Sequence, residues 1–578
     1  MKNTFRTFAS VAVLSLALAS APGNSWADTL EVLKAQPLSQ APGIKGADLK
    51  PVQSGSLKIP TITWGGDVPT VLADEEGLFK AEGLSATLFH EDDFAKQVRG
   101  VLAGETPFLR GTFDMINAAA EVFKKNGTEL VVLDQLTWSR GGDALVVRPG
   151  ADGKEIKSLS DLKGKKIALQ LYGPHMYLLA HVLEQAGLKL SDVNIVWLKQ
   201  LTLPTDATNG KIVDARSAFA NDSSIDAAFV ISPDAGFLTG KESPVPDAKV
   251  LFSTKTADHV IADVYAVRKD WYDKHKSDAF KFVHALMVAQ EHFDVLVNDK
   301  VAQKKAYGQL LTDAATLLVG SPQGTGDVEG MIGDADFVGF GGNVAFFTGE
   351  GTTRNFNVMK DEIQEAFVGL KLLSGPVSLQ NAGWDYAQLA KGLKNADLNV
   401  MPRVTFDAQK AQVQIEKEVA AETTSWDQEG SLFKFEVYFE PKASKFNPSQ
   451  YVDAFRKVLK LSQTFGGAII TIEGNTDPTA LNQAKASGQK PLVMAVEQST
   501  KNLSMERAQA VRDAYVKFAN DKGLKIDSSQ LIAVGMGATH PNFAYPHDEG
   551  EWRKNMRVVF RVKQVEAEMD HFQPAPKH

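Results

Sequence analysis

Between Leu57 and Leu393 the chain alternates two hydrophobic periods, and that alternation confines it to layered α/β architectures. Leu57 to Ile62 reads as a strand, and Val71 to Phe79 as a helix ending near Gly83. Ala86 to Phe89 is a second strand, and Phe94, Val98, Val101 and Leu102 form the next helical stripe. The Pro- and Gly-containing segment 28–56 reads as a leader before one long α/β block over 57–394. Residues 395–430, with Ala408 to Glu422 rich in Ala, Gln, Glu and Lys, read as a polar helical spacer. Where helical, such a spacer separates its neighbours by roughly 20 to 25 Å. A second α/β block follows over 431–565, and 566–578 reads as a flexible tail.

The first residues say where the chain works. Lys2 and Arg6, the apolar run Val11 to Ala19, and Ser25-Trp26-Ala27 form the three regions of a secretory signal peptide over 1–27. No later segment approaches the roughly 18 consecutive apolar residues of a membrane span. The 578 residues include no cysteine, which removes disulfides, thiolate metal sites, a Cys nucleophile and a lipoprotein anchor. An exported, Cys-free chain fits the periplasm of a Gram-negative envelope. A net charge of −8 without clustered Lys and Arg argues against a nucleic-acid partner.

The C-terminal block carries the sharpest local pattern. Ala468 to Ile472 reads as a strand that ends in the polar loop Gly474-Asn475-Thr476-Asp477. Ser504 reads as a helix N-cap, with Glu506 and Arg507 in the first turn and Ala508, Val511, Tyr515 and Phe518 on one face. A cation at a positive helix terminus is unfavourable unless an anion binds there too. Arg507 opposite Asp477 is then suited to a zwitterion, carboxylate on the guanidinium and ammonium on the carboxylate.

These segments, Ile472-Glu-Gly-Asn-Thr-Asp477 and Asn502-Leu-Ser-Met-Glu-Arg507, resemble the peptidoglycan-binding signature of OmpA-like domains. Val534-Gly-Met-Gly537, Pro541 and Asn555-Met556-Arg557-Val558 extend the likeness; Met556 and Asn475 depart from the usual Arg and His. The resemblance implies that Asp477 and Arg507, with Asn475, Thr476, Asn502 and Arg557, hold the diaminopimelate-containing stem peptide of peptidoglycan.

The long block resembles a second family. Ala73-Asp-Glu-Glu-Gly77-Leu-Phe79-Lys-Ala-Glu-Gly83-Leu is similar to the opening of periplasmic ABC-type solute-binding proteins of the taurine, nitrate and thiamine-precursor type. Ser158-Leu-Ser-Asp161-Leu-Lys-Gly164, then Gly173-Pro174 opening a helix through Leu183, match the start of their second lobe. Ser224-Ile-Asp226-Ala-Ala-Phe229-Val-Ile-Ser-Pro233 resembles their strand returning to the cleft. The likeness implies a two-lobed periplasmic-binding-protein fold closing on a small solute.

Cleft candidates follow strand ends: Trp64, Gly65 and Asp67 after the first strand, Trp138, Arg140 and Asp143 after Glu129 to Leu133, and Tyr172 and His175 beside Pro174. Aromatic faces and a helix N-terminus suit a sulfonate or nitrate, while Asp67, Asp92, Asp93 and Asp143 suit an amine or cation, so the charge of the solute stays open. Gly339 to Asn343 and Phe347 to Thr353 are Gly-rich without a Walker pattern and read as a loop over the cleft mouth. No paired metal-ligand spacing, cofactor motif or catalytic constellation appears, so the chain reads as a binder and not an enzyme. Delivery to an inner-membrane ABC permease is one implied purpose; ligand sensing or envelope organisation without transport is the other.

Overall fold

The computed structural model describes residues 30–150, 153–202, 211–396, 431–466 and 469–563. The signal peptide, most of the 395–430 spacer and the 566–578 tail lie outside the described residues.

Three layered units emerge. In the first, Leu130–Ser139 is the central strand, flanked by Ala335–Phe337 and Ala262–Arg268, with Phe108–Thr112 beyond. All ten residues of Leu130–Ser139 are buried, which is why it opens on the continuous apolar run Leu130-Val-Val-Leu133 and not on an alternation. A two-stranded parallel sheet, Leu57–Thr61 with Ala86–His90, lies beside it. In the second unit the strand order is Asn194–Leu198, Lys166–Gln170, Ala227–Ile231, Asp143–Val147 and Lys249–Ser253. The chain passes between these two sheets twice, through Arg140–Gly142 and again through Thr254–Ile261. Two lobes joined by two crossovers are the result.

Local sequence explains the helices that cover them. Phe94–Leu102 starts at Asp93, whose carboxylate accepts the Lys96 N–H, and buries Phe94, Val98, Val101 and Leu102 on one stripe. Val68–Glu75 ends where Gly77 takes φ +67°, so the expected helix through Phe79 is two short helices, Val68–Glu75 and Leu78–Ala81. Residues 30–50 form a packed strap. Leu30 and Leu33 bridge to Ile212 and Trp197 of the second lobe, and Ser39 donates to Glu121 of the first.

The third unit orders its strands Ser431–Tyr438, Arg557–Lys563, Ile469–Gly474 and Leu531–Gly535. Ile469–Gly474 and Leu531–Gly535 are parallel and joined by the helix Lys490–Asp521, a βαβ crossover inside an otherwise antiparallel sheet. The architecture is α/β throughout, two lobes and a C-terminal α/β unit. Among the described residues no helix is long and apolar enough to cross a membrane.

Two expected elements differ. The Gly-rich run is a helix, Gly339–Thr348, because Phe340, Val344 and Phe347 recur at helical spacing and bury against the core. That burial outweighs a glycine penalty of about 1 kcal/mol per residue. Ser504 is not an N-cap but lies deep inside Lys490–Asp521, whose start is set by Pro491 in its first turn. Its hydroxyl bonds back to the Lys501 carbonyl.

Candidate functional site

In the third unit Arg507 is almost fully buried, 1% exposed. Since its helix begins at Lys490, the helix-terminus argument for it does not hold. What replaces that argument is stronger. Nη1 donates to the Asn475 carbonyl at 2.9 Å, Nε to Ala443 at 2.8 Å and Nη2 to Glu440 at 3.4 Å, and the guanidinium lies 5.3 Å from the Phe439 ring centre. Its partners are carbonyl oxygens, so the site orients the cation without neutralising it. Burial pulls its pKa down to about 10.

Asp477 sits two residues beyond the carbonyl that Arg507 grips. Oδ1 accepts the Thr479 N–H at 2.9 Å and Oδ2 the Asn555 amide at 3.0 Å. Asn555, fully buried, is locked by two further bonds to the backbone of Phe543. It aims the carboxylate, a role the sequence showed only as a motif letter. Around it the side-chain oxygens Asn475 Oδ1, Thr476 Oγ1 and Thr479 Oγ1 are buried with no protein hydrogen-bond donor. Such acceptors suit an ammonium group. Arg557 is instead tied to Glu436 at 3.3 Å and to the His540 carbonyl, and Asn502 is exposed on the helix, accepting from Gln498.

Glycines set the height of this helix. Gly474 and Gly535 are partners in register on adjacent strands. A Cβ at Gly474 would collide with the Ser504 carbonyl, and one at Gly535 would press on Lys501 and Met505. Ser504 in turn accepts the Gly537 N–H at 2.9 Å. The helix therefore rests directly on the strand ends, one turn below Arg507.

Between the lobes, the strand Leu130–Ser139 runs further than its apolar start indicates, so Trp138 lies within it. Only 3% exposed, its ring packs edgewise on His259 and Phe346. Trp64 donates from Nε1 to Thr137 at 2.9 Å and sets the edge of its six-membered ring against the crossover at Gly142, where a Cβ would strike the indole. Gly65 is required because a Cβ there would hit the Met331 carbonyl.

Asp67 is fully buried in a bidentate pair with Arg110, at 2.7 and 3.1 Å, and Arg110 also binds Asp263 at 3.0 Å. Burial outweighs the guanidinium and raises the Asp67 pKa to about 6. Asp263 continues to Thr137 and so to Trp64. Asp143 accepts from Ser139 at 2.6 Å and faces His175 Nε2 at 2.6 Å, and the His175 ring stacks on Phe229. Asp67 and Asp143 are thus engaged by protein partners. Tyr172 sits at φ +63°, and its hydroxyl donates to the Gln36 carbonyl of the strap.

The helix after Pro174 begins at Met176, with Pro174 in the turn before it. Its first-turn N–H at Tyr177 donates to Asp114, a first-lobe carboxylate that burial pushes to about 7. That helix N-terminus already has a carboxyl group of the protein itself as its partner. Arg140, on the first crossover, lines a cavity of ≈ 110 Å³ with Asp258, His259 and Asp336. Burial raises the Asp336 carboxyl to about 6. Asp258 lifts the His259 pKa against the opposing effect of burial. Lobe meets lobe where the Ser232 hydroxyl donates to Asp334 at 2.5 Å, a contact foreshadowed only by the Ser-Pro233 strand end.

Layered lobes with two crossovers, followed by a βαβ-containing sheet, define a fusion of two classes. Residues 67–292 match the NMT1/THI5 like family and residues 438–555 the OmpA family, so the chain carries an NMT1/THI5-like domain and an OmpA family domain. A protein of Brucella abortus named as a candidate binding protein is 29% identical over 179 residues, 31% of this chain and 50% of that protein. The chain thus spans about half the length of the curated relatives it matches. Solved structures are similar as well, two of them sulfonate-binding proteins. The periplasmic aliphatic sulphonate binding protein SsuA of Escherichia coli is 18% identical, covering 56% of this chain and 90% of that one, with a TM-score of 0.39. The alkanesulfonate-binding protein SsuA of Xanthomonas axonopodis pv. citri, bound to MOPS, is 16% identical, covering 57% and 99%, with a TM-score of 0.39.

Proposed function

We propose that this protein is an exported small-solute binder of the ABC-transporter type that its OmpA-like domain holds non-covalently at peptidoglycan. The observation that carries the wall-binding part is Arg507, a buried cation met by carbonyls alone, beside an aimed carboxylate at Asp477 and three unpaired side-chain oxygens. A ligand with one carboxylate and one ammonium on the same carbon satisfies both charges, and the diaminopimelate end of a stem peptide has that form. Solute binding is supported by two sheets joined through two crossovers, with Ser232 and Asp334 meeting lobe to lobe. The solute is small and polar, and an inner-membrane ABC permease is its receiver. The domain contacts described below favour, as a second reading, a wall-bound sensor whose closure a partner reads.

Sedimentation with purified sacculi tests the anchor. Asp477→Ala and Arg507→Ala each weaken binding by about 2 to 5 kcal/mol if the ligand desolvates the charges. Binding retained in both variants removes the assignment. A thermal-shift screen of amines, sulfonates and oxyanions tests the lobes, because a ligand stabilises as RT ln(1 + [L]/Kd). A flat screen removes the solute-binding part.

A further inference from the structure

The OmpA-like domain packs directly against the lobes. Phe465, fully buried, places its ring 5.7 Å from His181 and 6.2 Å from Phe252, both of the second lobe. Lys460 reaches Glu362 at 2.6 Å and Glu184 at 3.9 Å. Gln463 accepts the N–H and hydroxyl of Thr353 at 2.7 and 2.6 Å, and Lys525 N–H donates to the Gly351 carbonyl at 3.1 Å.

The crossovers themselves are part of the contact. His259 N–H donates to the Thr464 carbonyl at 3.3 Å, and a Cβ at Gly466 would run into the Asp258 carboxylate. Arg140 of the other crossover faces Gln463 and Lys525 across the shared ≈ 110 Å³ cavity. Opening a two-lobed protein means rotating about its crossovers, and segments gripped by a third body resist that rotation. We propose that the OmpA-like domain is a brace on the hinge. Docked, it holds the lobes in one arrangement; released, it frees them to open, so wall-domain docking and solute exchange are linked.

His181 makes the brace releasable. It is 1% exposed between the rings of Tyr177 and Phe465, and neither ring nitrogen has a hydrogen-bond partner. Burying an imidazole without partners is costly, and withdrawal of Phe465 returns it to water. The charged groups facing it are Arg354, Glu362 and Lys460, the last from the docked domain. The inference rests on the reading that the lobes move, and its test requires no solute, so an empty ligand screen leaves it decidable.

Because the chain has no cysteine, Val301→Cys in the first lobe and Lys241→Cys in the second, both exposed, take spin labels cleanly. Lobe-to-lobe distances are measured by double electron–electron resonance in the full chain, and docking by hydrogen exchange at the amides of His259, Thr353 and Lys525. Expected is one narrow distance distribution with all three amides protected. In Lys460→Glu/Gln463→Ala the His259 and Lys525 amides, whose acceptors are backbone carbonyls, exchange at least tenfold faster and the distribution broadens to longer distances. Phe465→Ala does the same, with protected amides in Ile469–Gly474 reporting that the domain is folded. Unchanged lobe distances in a variant whose His259 and Lys525 amides exchange freely overturn the proposal, and so do unprotected amides in the unmodified chain.

Discussion

Two buried cation-capable side chains show how burial is used differently. Arg507 stays charged among carbonyls, whereas His181 stays neutral, its pKa pulled by burial from 6.5 to about 3. Replacing Arg507 by Met keeps the volume and removes a desolvated charge. The expected result is a lowered melting temperature together with lost sacculus binding, since the Asn475, Ala443 and Glu440 carbonyls lose their donor. A lowered melting temperature with binding intact contradicts the assignment. For His181 the folded pKa is the depressed one, so its neutral form is stable above pH 6.5 and that stability drains as pH falls from 6.5 toward 3. At pH 5 the loss is about 2 kcal/mol by linkage. His181→Phe removes it, so comparing melting temperatures of the two proteins at pH 7 and pH 5 should show the variant falling less.

At the scale of elements, the strands Leu57–Thr61 and Ala86–His90 and the helix Phe94–Leu102 were legible because their hydrophobic periods are local. The helix Lys490–Asp521 starts well before the position its capping pattern points to: Ser504 carries a capping side chain, yet no breaker separates it from Pro491, and Pro491 is the start signal. The Gly339–Thr348 helix was hidden by its glycines while its aromatic stripe gave it away. Partners such as Asp114 were not legible, because a carboxylate reaching a helix N-terminus 63 residues away leaves no pattern in the chain. At the candidate wall site the sequence brought Asp477 and Arg507 to one loop and helix, but the carbonyl cradle and Asn555 needed coordinates. Gly474→Ala tests the strand–helix contact. It should cost about 1 to 3 kcal/mol, as overpacking does, and weaken sacculus binding, read by thermal melting and sedimentation.

For the molecule as a whole, one apolar cluster runs from Phe252 of the second lobe through Phe465 into Phe455, Tyr515 and Phe560 of the OmpA-like domain. Domains that share a core unfold together, so calorimetry of the full chain should give overlapping transitions. Phe465→Ala, at a cost of about 3 to 5 kcal/mol, should split them; two separate transitions in the unmodified chain contradict a shared core. Glu362 adds an acid limit. Burial alone would raise it, but Arg354 and Lys460 hold it at about 2, so its contribution is complete above pH 4.5 and lost between 4.5 and 2. Finally, the direct seating of Gly474 beneath Ser504 has a consequence for descent. The stretch 485–499, almost all of it exposed, forms the tip of the hairpin of Thr479–Ala486 on the early turns of Lys490–Asp521, beyond the point where helix and sheet are bolted together. Residues added or trimmed there lengthen or shorten an outlying arm and leave the spacing of acid and guanidinium untouched, so this stretch is free to drift in length.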